Sequence, residues 1–305
     1  MTGNAGITRI PKEIIQSIAP NRVIFSATAP EITEDMELDT VWINTDNMYE
    51  YNIFLVPEVT AVKTGYGALY NWWVTQQELI EGFTVPTDAQ WTELTDLLGG
   101  EDIAGGKLKS VRTDPDIAPR WNSPNTGATD EFGFSALPGG NRAGGGTYIA
   151  VGIIGFWWSS SENLATSAWN RLLNTNSITV DRSQPSKNIG YLIRCVRPLT
   201  TVEQVLNDGT FLKPAQDYDG NWYEVVKIGD LAWTAQNLRT THYADGTPIP
   251  NVTNNTDWSN LTTGAYCWYN NDINTAGIVY TDENIVLQEG GHKFWTQLGI
   301  YSEQI

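Results

Sequence analysis

From Trp121 to Arg197 the chain runs as short aromatic strands broken by Gly, Asn, Ser and Pro turns, with Gly155-Phe156-Trp157-Trp158 and Ile193-Arg194-Cys195-Val196-Arg197 among the strands. Turn residues at this density interrupt a helical period before it can build an apolar face, so the stretch is expected to fold as strands joined by long ordered loops. Composition agrees: 13 Trp, 13 Tyr and 28 Gly stand in 305 residues of which only 17% are charged. A chain of this length buries about three quarters of its unfolded surface, so size alone permits one large domain or two modest ones without disulfide support. The formal charge is −17. So acidic a surface repels phosphate backbones and anionic headgroups, and nucleic acid is not expected as a partner.

The opening MTGNAGITRIPKEIIQSIAP has no apolar core of signal-peptide length, and no run of roughly 18 apolar residues follows, so membrane insertion is not expected and synthesis in a cytoplasm is. Cys195 and Cys267 are the only cysteines. They are read as two buried thiols, with a single bridge left open.

One helix is expected from Val85-Pro86-Thr87-Asp88-Ala89-Gln90: Thr87 and Gln90 form a capping box, Trp91, Leu94, Leu97 and Leu98 share a face, and Gly99-Gly100 ends it. A second short helix is expected around Lys107 to Ser110, and one helical turn at Val202, Val205 and Leu206 in a connector over 199–216. DYDGNWYEVVKIGDLAWTAQNL reads as a hairpin meander turning at Asp219-Gly220 and Ile228-Gly229-Asp230, with Trp222, Val226 and Trp233 packed between. The class is α+β. Near the N-terminus, Val41-Trp42-Ile43 and Tyr49/Tyr51 flank Asp46-Asn47 and read as a hairpin, in a pattern that resembles small tail-fibre modules of phages.

GYGALYNWW (65–73), VPTDAQWTELTDLLGG (85–100), AGGKLK (104–109), WNSPNTGATDEFGFSALPGGNR (121–142), WWSSSE (157–162), AWNRLL (168–173) and GYLIRCVRP (190–198) resemble, in order, the body of the Fibrobacter succinogenes major paralogous domain. DYDGNWYEVVKIGDLAWTAQNLRTTHYADGTPIPNVTNNTDWSNLTTGAYCWYNND (217–272) resembles the segment that usually comes first in that family. The resemblance implies a C-type-lectin-like fold, which formylglycine-generating enzymes and phage receptor-binding proteins also use. Here the order is reversed, and the expected organisation is a circularly permuted domain over 63–272: body 63–198, connector 199–216, leading segment 217–272. An attachment or stalk module over 1–62 and a docking or stalk segment over 273–305 flank it. The other arrangement is that 217–272 completes a neighbouring subunit of a trimer.

The enzymes of this fold use cysteine in an active-site loop, and neither Cys195 nor Cys267 sits in a similar context, so no catalytic residue is expected. The resemblance implies a cysteine partner for Cys195 just before the VPTDAQW block; LIEGFT (79–84) stands there instead, and whether Cys267 takes that place stays open. His242 and His292 are isolated in sequence, and Asp217-x-Asp219-Gly-Asn221 lacks the glutamate of a calcium loop, its twelfth position being Ile228. Neither metal nor cofactor is therefore expected.

What remains is a surface. In phage relatives the ligand-facing positions lie late in the domain, which the resemblance places at NTNSITVDRSQPSKN (174–188). The candidates are Asn174, Asn176, Ser177, Thr179, Asp181 and Arg182, then Gln184, Ser186 and Asn188, with Tyr148 and Trp169 as stacking platforms. Binding surface and plain solvated loop are both compatible with these residues. The expected function is a virion structural protein, a head or tail fibre, that binds a host-surface glycan or protein. It would meet other virion proteins through its terminal segments, most simply as a homotrimer, and leave the host cytoplasm by lysis. A bacterial surface adhesin or polysaccharide-binding module is the alternative.

Overall fold

A computed structural model of the chain describes residues 23–26, 41–44, 63–116, 118–276 and 278–279. Strands β1 (Val23–Ser26) and β2 (Val41–Asn44) belong to a separate unit and pair in parallel. The described partner of Val41-Trp42-Ile43 is thus an upstream strand, and the other arm of the expected hairpin, Tyr49/Tyr51, lies outside the described residues, as does His292.

The main unit covers Lys63–Glu283. In chain order its strands are β3 (Lys63–Thr64), β4 (Leu69–Tyr70), β5 (Gly139–Arg142), β6 (Tyr148–Val151), β7 (Ile154–Leu164), β8 (Ser167–Asn174), β9 (Asp181–Ser183), β10 (Val196–Pro198), β11 (Phe211–Gln216), β12 (Trp222–Ile228), β13 (Leu231–Thr234), β14 (Tyr266–Cys267) and β15 (Ile278–Val279). Among the described residues four α-helices accompany them: α1 (Asp88–Leu97), α2 (Glu101–Leu108), α3 (Thr201–Gln204) and α4 (Asn255–Ser259). The protein is α+β and mostly β.

Helix α1 starts where the capping box says it should: the Gln90 amide donates to Thr87 Oγ1 at 3.2 Å, and the Thr87 amide donates to Gln90 Oε1 at 2.8 Å. Trp91, Leu94 and Leu98 are buried, but Leu97 is 48% exposed and does not share their face. The second helix begins at Glu101, not near Lys107, and ends at Leu108. Its glycines are poor helix formers, yet a Cβ on Gly105 would come within 2.1 Å of Thr179 O and one on Gly106 within 2.4 Å of Gly127 O. Close backbone packing, absent from any local propensity, decides this helix.

A five-stranded sheet runs β6-β5-β7-β8-β9, and a four-stranded sheet runs β10-β13-β12-β11. The second sheet contains the expected meander, and its edge strand β10 is the end of the body segment: Val196 pairs with Trp233 and Pro198 with Leu231. Further along, β4 pairs with β14 and β3 with β15, so that Lys63 lies opposite Val279. Trp157 and Trp158 are both buried, at 1% and 0% exposure. They point to opposite faces of β7 and enter two different core clusters, because this strand is covered on both sides.

Buried polar groups tie residues 217–272 to the body. Arg194 Nε donates to Asn237 Oδ1 at 2.8 Å, its Nη1 to Phe134 O and Thr234 O at 2.9 and 2.7 Å, and its Nη2 to Ser135 O at 3.1 Å. Burial pulls this guanidinium down to about 9, so it stays charged at neutral pH. Arg142 does the same from β5, donating to Val252 O and Thr253 O and lying 4.4 Å from the Trp258 ring. Asn237 Oδ1 also accepts from Trp157 Nε1 at 2.8 Å, while its Nδ2 donates to Tyr66 O at 2.9 Å.

Candidate functional site

The 174–188 stretch is built from the end of β8, a loop and β9 at one edge of the five-stranded sheet. Its backbone is bonded into the body. Thr175 N donates to Ile153 O at 2.9 Å, Val180 N to Glu101 O at 2.7 Å, and Gly106 N to Ile178 O at 3.1 Å. Local side-chain bonds shape what is left: Asn176 N donates to Asn174 Oδ1 at 2.8 Å, Thr179 N to Ser177 Oγ at 3.0 Å, and Thr179 Oγ1 to Asp181 Oδ1 at 3.3 Å. Asn176, Asp181, Arg182, Gln184 and Ser186 are exposed, whereas Asn174, Ser177, Thr179 and Asn188 are half-buried.

Arg182 is exposed but not free. Its guanidinium sits 3.5 Å from the Trp169 ring centroid, and Nε and Nη2 donate to the two oxygens of Asp88 at 3.0 and 2.7 Å. The buried Arg171 donates to the same carboxylate at 2.6 Å. Burial pushes the Asp88 carboxyl up, but the hydrogen bonds and charges of Arg182 and Arg171 outweigh it and hold it below its usual range. One face of Trp169 is therefore already taken by a cation held by the first residue of α1.

The eleven sequence candidates do not form one site. Thr179, Asp181 and Arg182, with Val180, Glu101 and Asp102, line an open cleft of about 380 Å³. Trp169 joins this group through Arg182. Tyr148 does not: it lies on β6, the opposite edge of the sheet, where its hydroxyl donates to Asn271 Oδ1 at 2.6 Å and its ring faces Tyr269 and Arg142. In strand order it stands three spacings from Trp169 on β8 and four, roughly 19 Å, from β9. Asn188 turns toward the late segment, donating from Nδ2 to Ser259 O at 3.2 Å.

Sequence reading missed Asp88, Arg171, Glu101 and Asp102. The only signal was an acidic residue in the first turn of each of α1 and α2, which helix dipoles explain as well.

Other motifs resolve into structure. Asp217 accepts from Tyr223 Oη at 2.7 Å and from Asn221, closing the hairpin. His242 is not isolated, since its Nδ1 lies 2.5 Å from Asp219 Oδ1. Cys195 and Cys267 are both free and buried, so they do not pair with each other, and burial pushes both thiols up. Cys195 is fully buried just before β10, where its carbonyl accepts from the Thr234 amide at 2.9 Å. Among the described residues no group of three or more His, Cys, Asp or Glu is placed to hold a metal ion. No helix among them is long and apolar enough to cross a membrane.

The fold and this surface together define an α+β domain that carries a backbone-anchored polar loop at the edge of its largest sheet. The chain belongs to the Fibrobacter succinogenes major domain family, whose model matches residues 28–197. A search of curated proteins and a search of solved structures each found no match.

Proposed function

We propose that this protein is a structural component of a phage virion, a head or tail fibre. In this reading a circularly permuted, C-type-lectin-like domain over 63–272 presents residues 174–188 to a glycan or protein on the host surface. The observation that carries the reading is the separation of roles in this stretch. Backbone groups of Thr175, Ile178 and Val180 are bonded into the body, while Asn176, Asp181, Gln184 and Ser186 point polar side chains into solvent. Such a surface can change its side chains without changing the core.

Support for the permutation comes from the end of the family match at residue 197, the second residue of β10, in a sheet that residues 211–234 complete. The pairing of Lys63 with Val279, which sets the two ends of the described domain side by side, supports an attachment role for the flanking segments. Assembly as a homotrimer with other virion proteins belongs to the same reading.

Purified virions analysed by mass spectrometry should contain the chain. A variant combining Asn176→Ala, Gln184→Ala and Ser186→Ala should unfold like the parent, since exposed changes cost within about 0.5 kcal/mol each. It should lose about tenfold or more in adsorption to host cells. Finding the chain on a bacterial envelope and not in virions would favour the adhesin alternative. Unchanged adsorption of the triple variant would show that the ligand binds elsewhere.

A further inference from the structure

Lys109 is fully buried just after α2, and its ammonium is met by backbone carbonyls. Nζ donates to Thr126 O at 2.9 Å, Asn174 O at 3.0 Å and Ser177 O at 2.8 Å, and it lies 5.4 Å from the Trp121 ring centroid. Three N–H groups thus meet three acceptors, which leaves no donor of the cation unsatisfied. A buried charge is tolerated only when it is bonded in this way. Burial pulls the Lys109 pKa down to about 8, so the protonated form persists at neutral pH.

Two of those carbonyls, from Asn174 and Ser177, belong to the candidate binding loop, and the third belongs to the loop at Thr126. The same two loops are stitched together by Thr126 N donating to Thr175 O at 2.8 Å. They press on α2 through the contacts of Gly105 and Gly106.

We propose that Lys109 is the positioning residue of the candidate binding surface, an internal cation that sets the backbone of residues 174–180. Truncating its side chain would then leave a carbonyl-lined site that accepts a small primary ammonium ion. The link to binding rests on the function proposed above; the structural assignment does not.

The test uses the full chain carrying Lys109→Ala or Lys109→Met, with amide hydrogen exchange as the readout. The amides of Gly106 and Val180, bonded between the candidate loop and α2, and of Thr126, bonded between the two loops, should exchange at least about tenfold faster in both variants. The amides of Leu192 and Ala68, bonded within the core, should keep their parental rates. Propylammonium, which replaces the atoms lost in Lys109→Ala, should restore that variant, and 1-propanol of the same shape should not. Lys109→Met, whose side chain fills the channel, should not respond to either.

Parental rates at the three reporter amides would overturn the assignment. So would uniform acceleration through the core, or a Lys109→Ala chain that stays unfolded in propylammonium, because Lys109 would then support the whole core. If the reporters respond as expected but even the parent fails to bind host cells, the assignment stands and the proposed function falls.

Discussion

Replacing Arg194 with Met should destabilise the protein by about 4 kcal/mol, a large share of the 5–15 kcal/mol that holds a typical domain together. Arg194 has no exposed surface, and its guanidinium spans the two parts of the chain: Phe134 and Ser135 on the body side, Thr234 and Asn237 on the late side. Methionine fills much of the space but withdraws the guanidinium donors from Phe134 O, Ser135 O and Thr234 O, while Asn237 Oδ1 keeps its bond from Trp157, and each buried acceptor left without a donor costs roughly 1–3 kcal/mol. Lysine in the same place keeps the charge but lacks the planar fork that reaches both sides, so it should recover little. In urea or thermal unfolding the loss corresponds to a fall in Tm on the order of 10 °C for a unit of this size. Arg182→Met is the control. That residue is exposed and paired only at the surface edge, so its loss should cost no more than about 1 kcal/mol. Equal effects from the two arginines would show that Arg194 does not clamp the segments together.

Trp233→Ala should cost about 3–5 kcal/mol for the same reason read in apolar contacts. Trp233 is 1% exposed, and its ring lies 5.1 Å from Trp91 and 5.7 Å from Phe134, with Trp91 and Phe134 5.9 Å apart. Two of these three rings come from the body and one from the late segment, so alanine opens a cavity at their junction rather than at a surface. Trp233→Phe should retain part of the packing and cost less. Phe134 also receives the Arg194 guanidinium at 4.6 Å. The double variant Arg194→Met/Trp233→Ala should therefore depart from additivity by about 0.5 kcal/mol or more, a coupling that independent sites would not show.

Features set by local chemistry were legible in the sequence. The Thr87/Gln90 box places the start of α1, the Asp219-Gly220 and Gly229 turns place the meander, and the turn at Val202 appears as α3, with Thr200 and Glu203 as its own capping box. Features set by partners distant in sequence were not. Gly105 and Gly106 argue against a helix until the backbone of Thr179 and Gly127 is set against them. Leu97 fits the apolar period of α1 yet stays exposed.

The candidate site divides along the same line. Polar exposure of Asn176, Gln184 and Ser186 could be read from residue type. The separation of Tyr148 from Trp169 depends on strand order, which the residues themselves do not encode. The role of Asp88 depends on two arginines more than 80 positions away, and the three acceptors of Lys109 are main-chain atoms that leave no mark on side-chain pattern.

Residues on either side of the 199–216 connector jointly close both core clusters of the domain. Expressing residues 1–207 and 208–305 as separate chains, divided at the exposed Asn207, tests it directly by near-UV circular dichroism and thermal unfolding of each piece and of the mixture. Neither piece should give a cooperative transition alone, and the mixture should form a one-to-one complex with the parental spectrum and a single transition. A 1–207 chain that folds cooperatively with the parental aromatic signal, and gains nothing from the second piece, would contradict the account.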